Sequence, residues 1–492
     1  MKESTHEIVF ESSDWHRDQT AHGLLVLAHQ HATQAGLFAG LKRYVSLPMK
    51  TVTYSVHDKL ATLWASIIAD CDHTVEINFK LGAHERALAA LFGLERFPDQ
   101  SGINRLLRAA TPETVVQMRR LHVDLLARNG RARRRRLRRK LARGRVLFVD
   151  FDQRGIAVQG KHYELAEAGY FTRKRSHRGY QLSMAFLGGP LGEVLDEYFD
   201  PGKTPASARV EESLESLDRL RQVWGLEASQ VVVRGDAQYG TPAIIAKVVA
   251  RGFGFLVKGI NPKRAHKLAR QVDETAFVSV SPRAEGEPRW VADLGERSFT
   301  ARATAQAPKL EVRARAIVVK WIDASVPGPK RPGPTSRARR AGEPKPTRTC
   351  YAMLMTNLAP EVLPAAMALE CYDDRATIER YFRDEQCALG ARSVRTHKAA
   401  GAAVFQWMVA IANNLLQWMR AQYFSTTALA AYGVGRLVKR AFQIPARVVR
   451  RGSTLRVIFP QGHLLAAAIV AALTQHAPIS PAPGPAPPLT PH

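Results

Sequence analysis

The sequence predicts a mixed α/β protein, and two observations lead there. Two strongly apolar, β-branched runs, VLFVDFD (146–152) and VVVRGD (231–236), each end in an acid. Stretches of helical period alternate with them and with further strand-like runs, the pattern of a sheet covered by helices.

Residues 1–54 read as an irregular lead-in. Across 55–130 apolar residues recur at helical spacing (Leu60, Leu63, Trp64, Ile67, Ile68, then Leu88, Leu91, Phe92), punctuated by Gly93, Pro98 and Gly102. This predicts a bundle of short helices, either a DNA-binding domain or a helical domain that only packs on the rest. Next comes RARRRRLRRKLARGR (131–145), ten basic residues in fifteen. Like charges at this density repel until phosphates neutralise them, so Arg133, Arg134, Arg135, Arg136, Arg138 and Arg139 are read as DNA contacts; a solvated linker is the alternative.

The run 146–152 then has apolar residues on both faces, as a central strand does: Val146, Phe148, Asp150 and Asp152 on one, Leu147, Val149 and Phe151 on the other. Two carboxylates there need a reason, because unpaired buried charge is costly, and a metal supplies one. Strands follow at 180–187 and 194–199, a helix at 210–223 with Leu214, Leu217 and Leu220 inward, the strand at 231, a helix over Pro242–Ala250, and a strand at 253–258.

From 260 to 356 the texture becomes β-rich (276–280, 289–293, 312–321), with a basic Pro-, Gly- and Ser-rich loop at 326–349 expected to be disordered. This block is read as an insertion in the α/β domain, whose first part is 146–259 and second part 357–425. Helices are expected at 365–389 and 401–421, a C-terminal helical region at 426–477, and a disordered Pro-rich tail at 478–492.

Lysine and arginine number 71 against 44 acids, a net charge of +27 that suits a polyanionic partner. The four cysteines form no CxxC pair, which argues against structural zinc and disulfides and fits a reducing cytoplasm. The N-terminus has no apolar signal core, and the longest apolar run, 464–473, falls short of the ~20 residues a bilayer requires. A cytoplasmic, nucleoid-associated bacterial protein without a membrane span is expected.

The most informative segment is YDDRATIERYFRDEQ (372–386). On a single helix Tyr372, Arg375, Glu379 and Gln386 form one stripe, at offsets 0, 3, 7 and 14, while Ile378, Phe382 and Leu389 form a separate packing stripe. Tyr, Arg and Glu on one face suit a carboxylate that binds metal beside groups that hold phosphate.

Here the pattern Tyr-x2-Arg-x3-Glu resembles the signature helix of IS4-type DDE transposases, with a texture like the IS1380 group. Three blocks carry the resemblance in family order: VDFDQRGIAVQGKHYE with RGYQL; VVVRGDAQYGTPAIIAKVVARGFGFLVK; and YDDRATIERYFRDEQCALGARSVRTHKAAGAAVFQWMVAIANNLLQWMR. DKLATLWASIIADCD and ALAALFGLERFPDQSGINRLL resemble the same group's helical lead domain. The resemblance implies that Asp152, Asp236 and Glu379 are the catalytic, metal-binding acids, with Asp150 the alternative for the first. The family often has Thr where Arg154 stands, and ends its motif in Lys where Gln386 stands; Arg383 or Lys398 is read as the substitute. Tyr372 and Arg375 would hold the phosphate near the scissile bond, and the basic loop with Arg173, Lys174 and Arg175 would touch DNA near the first acid.

The implied fold is RNase H-like: a mixed five-stranded sheet with flanking helices, the β-rich insertion before the last catalytic helix, and the N-terminal helical domain. The implied activity is metal-dependent cleavage at terminal inverted repeats and 3′-hydroxyl strand transfer into target DNA, with two Mg²⁺ or Mn²⁺ ions, by a homodimer in a synaptic complex. A structure-selective nuclease with the same core, or a domesticated DNA-binding protein that has lost the reaction, are the competing readings.

Overall fold

A computed structural model describes residues 18–49, 53–169, 171, 177–189, 192–280, 288–301, 309–323, 348–452 and 454–474. The chain divides into a sheet unit, residues 122–383, and a helical unit, Met1–Leu121 with Asp384–His492.

In the sheet unit five strands form the centre: β1 (Arg145–Val158), β2 (Arg178–Leu187), β3 (Glu193–Pro201), β4 (Val231–Gly235) and β5 (Gly254–Lys258). Their spatial order is β3-β2-β1-β4-β5. β2 runs antiparallel to β1, and β3 to β2, whereas β4 lies parallel to β1 and β5 parallel to β4. β1 and β4 are apolar on both faces because both faces are covered. On one face Val146, Phe148, Val232, Leu256, Ile317 and Leu354 pack with Ala368, Leu369 and Cys371 of a helix, α3 below. On the other, Leu147, Val149, Phe151, Val231, Val233 and Phe255 are equally buried.

Helix α1 (Val210–Trp224) buries Leu214, Leu217, Leu220 and Trp224 and ends at Gly225, whose φ of 65° is a conformation open to glycine. Helix α2 (Pro242–Ala250) has proline in its first turn and Thr241 as its cap. Two corrections concern the β-rich insertion. Its strand β6 (Val278–Val280) is shorter than the sequence pattern indicates, β7 (Arg289–Ala301) and β8 (Leu310–Asp323) are longer, and β9 (Arg348–Thr356) forms where no strand is expected. They also extend the central sheet itself, β9 pairing antiparallel with β5 and followed by β8, β7 and β6, so the sheet exceeds the five strands expected. Residues 324–347, most of the expected loop at 326–349, lie outside the described residues, as does the 478–492 tail.

The stretch at 131–145 is not a free linker. Helix Pro112–Leu137 runs into it, and Arg139–Lys140 then pairs with the start of β1 through a turn at Gly144. Leu141, 2 % exposed, anchors that turn in the core.

The expected helix at 365–389 is broken into α3 (Ala365–Asp373) and α4 (Ala376–Ala388). The carbonyl of Asp374 accepts both the amide and the hydroxyl of Thr377 (3.1 and 3.0 Å), closing a turn in place of a continuous helical ladder.

The helical unit contains Leu25–Ala35, Leu37–Tyr44, Val56–Ile68, Gln100–Ala109 and Ala399–Tyr423 among its helices. The first two fall where an irregular lead-in was expected; the apolar period of LLVLAHQHA supports them. Ser55 and Asp58 form a reciprocal capping box on Val56–Ile68. Ala399–Tyr423 is long and apolar enough to cross a membrane, but 94 % of its most apolar stretch is buried in this unit, as in a core helix. The region 426–477 is not wholly helical: Ala446–Arg451 and Thr454–Ile458 form a hairpin joined by Gln19–Thr20. Val448 and Val457 pair directly across it, and Gly452, with a φ of 58°, stands at its turn.

Candidate active site

Strand register determines which acids are available. Asp150 on β1 lies directly opposite Arg234 on β4. The two form a bidentate ion pair, Nε–Oδ1 2.6 Å and Nη2–Oδ2 2.8 Å, with each residue at most 1 % exposed. Arg234 also donates to the carbonyl of Cys371 at the end of α3, and its guanidinium lies 4.6 Å from the Phe148 ring centre. Residue 188 must be glycine, because a Cβ there would come within 2.5 Å of the ion pair. Asp150 is therefore fully engaged in joining two strands to a helix.

The paired register ends one step outward at Phe151 and Gly235; Asp152 follows on β1 and Asp236 opens the turn after β4, close enough for its charge to act on Asp152. Asp152 Oδ1 accepts the Gln153 amide and Oδ2 accepts Arg375 Nη1, both at 2.8 Å. Asp236 Oδ1 accepts the Gln238 amide at 2.9 Å, shaping the turn after β4. Burial raises the Asp152 pKa above the usual carboxylate range; Arg375 opposes the shift and neighbouring Asp236 adds to it.

Two tyrosines border the pair. Tyr239 is 3 % exposed, packs edge-on to Phe151 with ring centres 6.0 Å apart, and occupies the space a Cβ at Gly235 would take. Burial, then Asp152 and Asp236, drive its phenol well above its ordinary pKa. Tyr372 is pushed to about 12 by burial, with Asp236 and Asp152 adding to the shift and Arg375 opposing it. Tyr239 is absent from the sequence-based site; its only sequence signal is its place in GDAQYG, directly after the second acid.

The break between α3 and α4 places Arg375 at a turn, where its side chain reaches Asp152 Oδ2 while Nη2 lies 3.8 Å from Glu379 Oε1. Burial works against the guanidinium's charge, yet Asp152 and Tyr372 raise its pKa overall. The turn is tethered on both flanks: Asp373 accepts Arg289 Nη2 at 2.5 Å, and Asp374 is ion-paired with Arg139. Helix α4 docks through Tyr381, 5.1 Å from the Phe186 ring, and Phe382, over which Arg154 lies at 5.7 Å. Glu379 itself points outward, its side chain 67 % exposed.

The Tyr372, Arg375 and Glu379 stripe thus does not lie on one helix. Among the described residues no three Asp, Glu, His or Cys side chains stand close enough together to hold a metal ion. The expected three-acid set is therefore not assembled; Arg375 stands between Glu379 and Asp152. Asp152 and Asp236 nonetheless offer only hard oxygen donors, and their pairing already draws a cationic side chain, so a divalent cation of the Mg²⁺ or Mn²⁺ kind fits that pair.

The other expected contacts are dispersed. Arg139 is committed to Asp374 and to Glu370, 3.7 Å away; Arg138 gives its carbonyl to Arg145. Arg133, Arg134, Arg135 and Arg136 follow the helix Pro112–Leu137, but their side chains lie outside the described residues, as do Arg173, Lys174 and Arg175 altogether. Arg383 is exposed on α4 in the sheet unit, and Gln386 is half-buried on the part of α4 counted with the helical unit. Lys398 is exposed at the start of Ala399–Tyr423, its amide bonded to Thr396 Oγ1.

Two acids at the ends of adjacent parallel strands, an arginine from the α3–α4 turn and a glutamate on α4 make a charged site at one end of the sheet. The family model for the transposase DDE domain, group 1, matches residues 18–480. The chain belongs to that family, and is by that membership a transposase with a nuclease and transferase function. A comparison with curated proteins gave no match.

Proposed function

We propose that this chain is an insertion-sequence transposase of the IS4-like superfamily, in the manner of the IS1380 group. It binds terminal inverted repeats and catalyses strand cleavage and 3′-hydroxyl transfer with Asp152, Asp236 and Glu379. The observation that carries the reading is that Asp150 is locked to Arg234 across β1 and β4, while Asp152, two residues on, stands within reach of the Asp236 charge. The strand order β3-β2-β1-β4-β5, with its change from antiparallel to parallel at β1, supports an RNase H-like core.

Asp152 and Asp236 would hold divalent cations, with Glu379 joining once Arg375 leaves Asp152. Such ions supply charge neutralisation at the attacking and leaving oxygens of an in-line displacement. The chain's own groups do the rest. Arg375, released from Asp152, grips a backbone phosphate bidentately. Tyr372, its phenol held protonated, donates a hydrogen bond to the same strand. Tyr239 keeps water from the floor beneath the two aspartates. Pairing of two DNA ends calls for a homodimer acting on double-stranded DNA.

The test incubates the protein with labelled DNA from the ends flanking its reading frame, a target plasmid and Mg²⁺. The expected outcome is joined product with wild type and none with Glu379→Gln, at equal end binding. No joining by wild type, with end binding intact, would make this a DNA-binding protein that has lost the reaction. Cleavage of branched DNA regardless of end sequence would make it a structure-selective nuclease.

A further inference from the structure

The helical unit contains a cavity of about 550 Å³ between the start of Val56–Ile68 and the start of Gln100–Ala109. Its size lies within the range of roughly 300–1,000 Å³ typical of small-molecule sites. Lys59, Arg96, Arg105, Tyr54, Phe97 and Asp99 contribute to its wall.

Its charges are unbalanced. Lys59 is only 7 % exposed and, among the described residues, has neither a hydrogen bond nor an ion pair; burial and the nearby Arg105 lower its pKa. The two neighbouring acids are engaged elsewhere: Asp58 accepts the Ser55 amide at 2.8 Å in the capping box, and Asp99 accepts Ser101 Oγ and the Gly102 amide as the cap of Gln100–Ala109. Arg96 and Arg105 stand exposed, Arg96 donating to the Tyr54 hydroxyl at 3.3 Å. The Lys59 stem is buried while its ammonium is repelled by Arg105 across the cavity wall, and an anion seated between the two relieves that repulsion.

We propose that this cavity is a nucleotide-sized phosphate site that takes a backbone phosphate of bound DNA on Lys59, Arg96 and Arg105, with the adjoining nucleoside against Tyr54. A phosphodiester fits better than a carboxylate ligand: it offers oxygens to three cations at once, and it belongs to the polyanion that a +27 chain of this family handles. The proposal rests on the DNA-binding reading above, but not on strand transfer.

The test uses the full chain and a fluorescein-labelled 30-base-pair duplex, titrated at several salt concentrations. Lys59→Met keeps the buried stem, and Arg105→Ala changes only an exposed side chain, so a folding defect cannot explain an effect common to both. The expected result is about tenfold weaker duplex binding for each, with a salt slope shallower by about one, and recovery in Lys59→Arg. In parallel, deoxyadenosine monophosphate and deoxyadenosine are titrated by saturation-transfer NMR, with inorganic phosphate binding read by its displacement of the monophosphate. The monophosphate and phosphate should bind wild type, the nucleoside should not, and both variants should lose the signal. Unchanged duplex binding with lost monophosphate binding would assign the cavity to free nucleotides and overturn the DNA assignment. Identical behaviour of wild type and variants in both titrations would remove the site altogether. A chain that shows the expected losses yet joins no DNA ends would overturn strand transfer and leave this site standing.

Discussion

Two positions on one face of β1, two residues apart, carry the same acid in opposite circumstances. On the inner rung Asp150 faces Arg234, and both are buried and saturated with hydrogen bonds. Just beyond the last paired rung Asp152 feels a second acid, Asp236, in the turn after β4, and leans on an arginine from a turn between two helices. A matched buried pair contributes rigidity and is costly to break; a mismatched pair is a standing demand for positive charge. The sheet separates structure from chemistry by one pleat.

That contrast can be tested, from the largest effect to the smallest. Asp152→Asn and Asp236→Asn should each reduce strand cleavage below detection while urea-denaturation stability changes by no more than about 1 kcal/mol. An active Asp152→Asn protein would assign the first acid elsewhere. Asp150→Ala leaves Arg234 buried without its partner and should lower stability by about 3–5 kcal/mol. If its denaturation midpoint is unchanged while cleavage disappears, the roles of the two aspartates are reversed.

Arg375→Gln removes the guanidinium from Asp152. Calorimetry without DNA should show tighter Mn²⁺ binding, and cleavage should slow by about 10- to 100-fold through loss of a charge-assisted phosphate contact. Equal Mn²⁺ affinity in variant and wild type would contradict the idea that arginine and metal compete for one carboxylate.

The smallest effect concerns pH. The folded-state pKa of Asp152 lies above its unfolded value, so its contribution to stability is fully present below the unfolded value and is lost as pH rises through the folded one. Wild type and Asp152→Asn should therefore differ little in their relative melting behaviour near pH 4. Toward pH 8 wild type should lose stability relative to the variant, as thermal melts across that range would show.

Much of this arrangement was legible in the sequence. The runs at 146–152 and 231–236 indicated their strands because both faces are apolar, and Pro242–Ala250 matched its helix because proline and a threonine cap mark its start. The choice between Asp150 and Asp152 was not legible. Both lie on one face of one strand, and what separates them is the cross-strand neighbour, which depends on register with a strand 84 residues away. The break at Asp374–Arg375 escaped for a related reason: the local period is helical throughout, and Thr377 competes for a backbone carbonyl only once the turn exists. Strand β9 adjoins a basic, proline-rich stretch whose composition masks it, and Tyr239 resembles any turn tyrosine until the glycine beneath it is seen to make room.

The pairing of β9 with β5 also bears on the molecule's solubility. Without residues 260–356 the outer edge of β5 would present unpaired amides and carbonyls beside Phe255, Leu256 and Val257, an invitation to strand-by-strand aggregation. The inserted strands act as an edge guard, moving the open margin of the sheet out to the short β6, where Val278 and Ser279 are exposed. Anyone trimming the protein to a minimal catalytic core should expect the shortened chain to precipitate.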